Sequence, residues 1–132
     1  MITYSTQKPP IYQKCVDAFG VDWEDGVIFT YGETIYCKHN PIHPSKQVHE
    51  GVHVLQQREY GKDPWWDRYL EDIDFRLQQE KEAYLVESEW AHKNIKDRNE
   101  RVRFIIRNAR TLSSSMYGNI ISYSEAFKLL NR

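Results

Sequence analysis

The pattern of apolar and polar positions divides the chain near residue 40. Before that point the apolar residues come in short groups. IYQKCVDAFG places Ile11, Cys15, Val16 and Phe19 on one side of a short helix, with Pro10 suited to its first turn and Gly20 to its end. GVIFTYGETIYC then predicts a β-hairpin: Val27, Ile28, Phe29 and Tyr31 in one strand, Gly32-Glu33 as a tight turn, and Thr34 to Cys37 returning. KHNPIHPSK is a proline-rich loop.

Beyond it the period is helical almost to the end. A helix is expected over 45–60, with Ser45 as its cap, an apolar stripe of Val48, Val52 and Leu55, and Gly61 as its stop. KDPWWDRYL starts another helical turn at Asp63 and Pro64. Further helices are expected over 72–93 and 100–112. SSSMYGN breaks the last of these, and SYSEAFKLL forms a short final helix capped by Ser122 or Ser124. One hairpin plus several helices makes the class α+β.

Composition narrows the function. The chain has 132 residues, the length of one ordinary domain, and 14% of them are aromatic, which supports a packed core. A formal charge of −1 gives no overall basic field for nucleic acid or an anionic membrane. The basic stretch from Lys93 to Arg110 reads as the solvated face of an amphipathic helix. No apolar run approaches the ~20 residues that span a bilayer. The polar start has no secretory h-region, so cytoplasmic synthesis is the expectation; packaging into a virion or release by lysis would leave no such signal. Cys15 and Cys37 are too few for a disulfide framework and are expected as buried free thiols.

Residues 49–53 read HEGVH. Positions i and i+4 of a helix lie about 40° apart around its axis, so His49 and His53 can offer imidazole nitrogens to one metal ion. Glu50 stands about a third of a turn away, where its carboxylate can reach a water activated by the ion without ligating. A catalytic zinc needs a third protein ligand and an open position. Position 59, where a third histidine would complete the extended motif, is Glu59, so another helix must supply the ligand.

FRLQQEKEAYLVE is the best source. Its Glu80 lies 27 residues beyond His53 and shares a helical face with Ala83, Tyr84 and Glu87, while Glu82 points about 200° away. Glu80 is the first candidate, with Glu82 and Glu87 left as alternatives. Ala83 would permit close helix approach, and Tyr84 could touch a ligand histidine. Gln57 falls on the ligand side of its helix. His39, His43 and His92 read as solvated. Of the adjacent Trp65 and Trp66, one is expected in the core and one on a cleft wall. Tyr84, Tyr117 and Tyr123 are candidate donors to a developing oxyanion. A hairpin edge beside such a helix offers strand addition to an extended peptide.

HEGVHVLQQ, then WWDRYL, then DFRLQQEKEAY resemble small phage and prophage proteins of the gluzincin type of zinc metallopeptidase. These carry HExxHxxQQ on one helix and E-x-x-A-[DNY] on the next. The resemblance covers His49 to Tyr84 closely and the hairpin loosely; the chain departs at Tyr84, where many members have Asp or Asn. It implies a mostly helical minimal zincin-like domain over 1–132 and one Zn²⁺ held by His49, His53 and Glu80. It further implies Glu50 as general base and a peptide or protein substrate. The alternative is a zinc-stabilised phage accessory or interaction protein without catalysis.

Overall fold

A computed structural model describes all residues from Met1 to Arg132. In chain order it contains β1 (Thr3–Ser5), α1 (Tyr12–Phe19), a 3₁₀ turn (Trp23–Asp25), β2 (Phe29–Tyr31), β3 (Thr34–Tyr36), α2 (Pro44–Tyr60) and α3 (Lys62–Glu71). Then follow α4 (Ile73–Asn94), α5 (Arg98–Leu112), a second 3₁₀ turn (Ser115–Tyr117) and α6 (Tyr123–Leu130). The fold is α+β and mostly helical. None of its helices is long and apolar enough to cross a membrane.

The expected hairpin is present but shorter. In its turn only Gly32 has a positive φ, +64°, the pattern of a type II′ turn with glycine first. The sheet has a third strand that the pattern did not predict. β1 pairs in parallel with β3, giving the order β1-β3-β2. Three residues are too short for a periodic signal, and pairing creates the strand: Thr3 N donates to Glu33 O, Cys37 N to Ser5 O, and the Thr3 and Thr34 hydroxyls bond at 2.8 Å.

α2 begins one residue earlier than expected. Its cap is His43, whose Nδ1 accepts from Ser45 N, and Pro44 occupies the first turn; Ser45 lies inside the helix and bonds that ring. The buried face also differs. Leu55 is 57% exposed, while Val54 and Gln57 are almost fully buried. The reason is that α2 packs against three neighbours, the hairpin, α3 and α4. The arc it buries is therefore wide and runs from His49 through Gln57, leaving Leu55 on the solvent side.

Asp72 caps α4 by accepting from Phe75 N, Asp97 caps α5, and Ser122 forms a capping box with Glu125 at α6. α5 turns Arg103, Arg107 and Arg110 outward and Phe104 and Ile105 inward, as its pattern predicts. One apolar core joins α4, α5 and α6 through Leu77, Ile105, Leu112 and Leu130. Another joins α1, β2 and α3 through Cys15, Trp23, Phe29 and Trp65. Both cysteines are free and buried, and burial pushes the Cys15 thiol up to about 12. Arg76 binds the last turns of the architecture together. Its guanidinium donates to Tyr69 O and Leu70 O at the end of α3 and to Met116 O in the second 3₁₀ turn.

Candidate metal centre

The seam between α2 and α4 lies between the two apolar cores and is lined with charge. The spacing of four residues brings the His49 and His53 rings to a centroid separation of 5.0 Å on one side of α2. Across from them, Glu80 projects from α4. Its Oε1 lies 3.0 Å from His49 Nε2 and 3.3 Å from His53 Nε2, and all three side chains are buried. Ala83, fully buried one turn further along α4, keeps the two helices close. These three residues form a group able to hold a metal ion, with donor atoms within 4.8 Å of one another.

The remaining atoms of each group are fixed from behind. His49 Nδ1 is 2.8 Å from Glu87 Oε1, and His53 Nδ1 is 2.8 Å from Gln56 Oε1. Both partners are acceptors, so each Nδ1 carries its proton and each Nε2, in the neutral ring, points a lone pair at the shared centre. Gln56 is oriented by its own bond from Nε2 to Gln79 O, and Glu87 accepts from Lys46 Nζ at 3.2 Å and Asn108 Nδ2 at 3.0 Å. Glu80 Oε2 accepts from the Tyr69 hydroxyl at 2.5 Å, which leaves Oε1 for the centre.

Glu50 stands beside this group without joining it. Its Oε1 accepts from Thr30 Oγ1 at 2.9 Å, and its Oε2 is 3.7 Å from His49 Nε2. Electrostatics follow from three buried carboxylates facing two imidazoles. Burial alone would lower the His49 pKa, but hydrogen bonds to Glu80 and Glu87 and the Glu50 charge outweigh it and raise it to about 10. His53 is raised against the same burial cost by the Glu80 charge. Burial likewise opposes ionisation of Glu80, yet the two histidines hold its carboxyl well below the ordinary range. The seam thus favours positive charge at its centre.

A cleft of about 310 Å³ opens onto the centre. It is lined by Val27, Ile28 and Phe29 around the start of β2, by Trp65, Trp66 and Tyr69 of α3, and by Met116 and Tyr117. Both tryptophans are buried and both line the cleft, so they do not divide into core and wall: the Trp65 indole donates to Gln79 of α4 and the Trp66 indole to Thr30 O of β2, which turns both rings inward. Tyr84 and Tyr117 line the cleft, with phenols that burial keeps protonated. Tyr123 is exposed on α6, stacked on Phe127, and is not a donor to this site.

Comparison with known proteins adds nothing to this geometry. No protein-family model, curated protein or solved structure matches the chain.

Among the alternatives, Glu82 is exposed on the far side of α4, and Glu87 lies behind His49 rather than at the centre. His39 and His92 are exposed, and His43 caps α2 with its ring edge-on to Trp90; none enters the metal group. Tyr84 packs edge-on to the His49 ring at 4.6 Å, the contact expected of it. The hydrogen bond of His49 Nδ1 is accepted by Glu87, about one helical turn on. Gln57 serves the hairpin: its Oε1 accepts from Gly32 N and its Nε2 donates to Thr30 O. Sequence reasoning missed the supporting roles of Thr30, Tyr69 and Gln56. Only Gln56 carried a local signal, lying three residues beyond the histidine it holds.

Proposed function

We propose that the chain is a zinc-dependent peptide-bond hydrolase with a minimal zincin-like site. The observation that carries this reading is the convergence of two Nε2 atoms and one carboxylate oxygen, with a second carboxylate, Glu50, alongside and outside the set. The donor chemistry fits zinc: two imidazoles and one carboxylate are a catalytic set. Donor atoms about 2.0–2.1 Å from a tetrahedral zinc stand about 3.3 Å apart. The two separations from Glu80 to the histidines, 3.0 and 3.3 Å, lie close to that spacing, and all three donor atoms are within 4.8 Å of one another.

When bound, the ion supplies Lewis-acid activation of a water molecule and of the substrate carbonyl. The rest falls to side chains. Glu50, steadied by Thr30, accepts the water proton and passes it to the departing amine. Tyr117 and Tyr84, protonated and facing the cleft, are the donors available to the oxyanion. Glu87 and Gln56 hold the histidines in the tautomer that ligates.

The competing reading has zinc merely tying α2 to α4 in an accessory protein. It leaves unexplained why a buried Glu50 is held at the edge of the group and why a cleft leads to it. The test is Glu50→Gln in the zinc-loaded protein assayed on an unstructured peptide pool. Metal content should be unchanged and turnover should fall by about 10²–10⁴-fold. An unchanged rate would remove Glu50 from the mechanism.

A further inference from the structure

We infer that this site, granted the hydrolase reading above, acts on chain ends and short peptides rather than within a long polypeptide. The reason is that its cleft is closed on the α3 side immediately beyond the metal group. β2 is the sheet edge nearest Glu50, and the tight turn sets its register. Tyr31 and Phe29 pair with Thr34 and Tyr36 through hydrogen bonds, so Thr30 is the strand residue whose carbonyl points away from β3.

That carbonyl is taken. It accepts from Gln57 Nε2 at 2.7 Å and from the Trp66 indole at 2.9 Å, which occupies both lone pairs. A peptide laid along β2 therefore finds no acceptor at Thr30. Towards the turn the strand is tied to α3. The Tyr31 hydroxyl donates to Asp63 at 2.7 Å, and Lys62 lies over the Tyr31 ring, both from the start of α3.

The α3 wall is packed and hydrogen-bonded. Trp65 stacks on Tyr69 at 4.8 Å, its indole is anchored to Gln79 Oε1, and its ring centroid is 5.5 Å from that of His53. Trp66 packs edge-on against it at 5.1 Å. The lining residues that reach solvent, among them Gly26, Val27, Lys46, Thr111 and Met116, lie on other elements, while Trp65, Trp66 and Tyr69 of α3 are buried. A substrate chain therefore leaves the cleft past the residues that reach solvent rather than over α3. The volume, about 310 Å³, is at the bottom of the ~300–1,000 Å³ range of small-ligand pockets.

Hydrolysis here breaks one amide C–N bond, adds hydroxyl to the acyl carbon and returns a proton to the amine. The bond broken is one beyond which little chain remains on the blind side. The test uses zinc-loaded protein, its metal content measured, with one unstructured peptide pool in linear form and the same pool cyclised head to tail. Products are read by mass spectrometry. Linear peptides should shorten from an end, and the ring-closed pool should be cut about a hundredfold more slowly or less. Ring opening, or internal cuts in linear peptides at a comparable rate, would overturn the inference while leaving the hydrolase reading intact. Zinc-loaded protein that cuts neither pool would sink that reading and the inference with it. Trp66→Phe removes the indole donor and thins the wall; bonds further from the end should then be cut as well, and an unaltered product pattern would remove Trp66 from the barrier.

Discussion

α4 buries two faces of opposite chemistry. Towards α5 and α6 it packs Leu77 and Ala91 against Ile105, Ala109, Leu112 and Leu130, and removal of apolar surface from water is the whole driving force. Towards α2 it presents Glu80 and Glu87 to two histidines and a lysine, with Asn108 of α5 donating to Glu87 from the other side, and the two buried carboxylates lose their hydration. A buried ionic group replaced by well-packed apolar residues is often neutral or stabilising. Stability therefore accounts for the first face and not for the second. The seam is built for what its charges can hold.

Leu112→Ala breaks the apolar face alone. It removes a fully buried side chain and should cost about 2–5 kcal/mol of unfolding free energy, read by urea denaturation. Zinc affinity of the folded fraction should not change. A parallel loss of metal binding would mean that the two faces do not act separately. Glu87→Gln makes the complementary break. The amide keeps the shape and an acceptor for His49 Nδ1 but gives up the charge that Lys46 and Asn108 support. Zinc affinity should fall by about 10–100-fold with the fold retained, measured against a chromophoric chelator. Equal affinity would reduce Glu87 to packing.

The smallest effect is one of pH. In the metal-free chain the His49 pKa, about 10, lies above its ordinary 6.5, so its contribution to stability is fully present below 6.5 and is lost as pH rises through about 10. Glu80 and Glu87 are lowered, so theirs is present above the ordinary 4.5 and is lost as pH falls through their depressed values. The metal-free protein should thus lose melting temperature at both extremes. Zinc binding near pH 7 should release protons from the histidines, seen as a calorimetric enthalpy that varies with the ionisation heat of the buffer. A buffer-independent enthalpy would mean that the rings are already neutral.

What was legible in the sequence is what a single helix encodes by spacing. His49, Glu50 and His53 share one such interval, and Glu80, Ala83 and Glu87 share another, so the centre could be read from two local periods. Those periods could not say which of the glutamates faces the histidines and which stands behind them. That depends on how α4 is rotated against α2. Thr30 and Tyr69 reach the site from other elements, and no local pattern links them to it. The exchange of Leu55 for Val54 on the buried face has the same origin, since a stripe of apolar residues indicates one neighbour and α2 has three. β1 exists only because β3 offers it an edge.

The most direct measurement is the zinc content of the purified chain after dialysis against zinc and then metal-free buffer, with Glu80→Ala alongside and helicity checked by circular dichroism. The expected result is one zinc per chain in the parent and none retained in the folded variant. Full stoichiometric zinc in Glu80→Ala, or no zinc in the parent, would contradict a centre built from His49, His53 and Glu80.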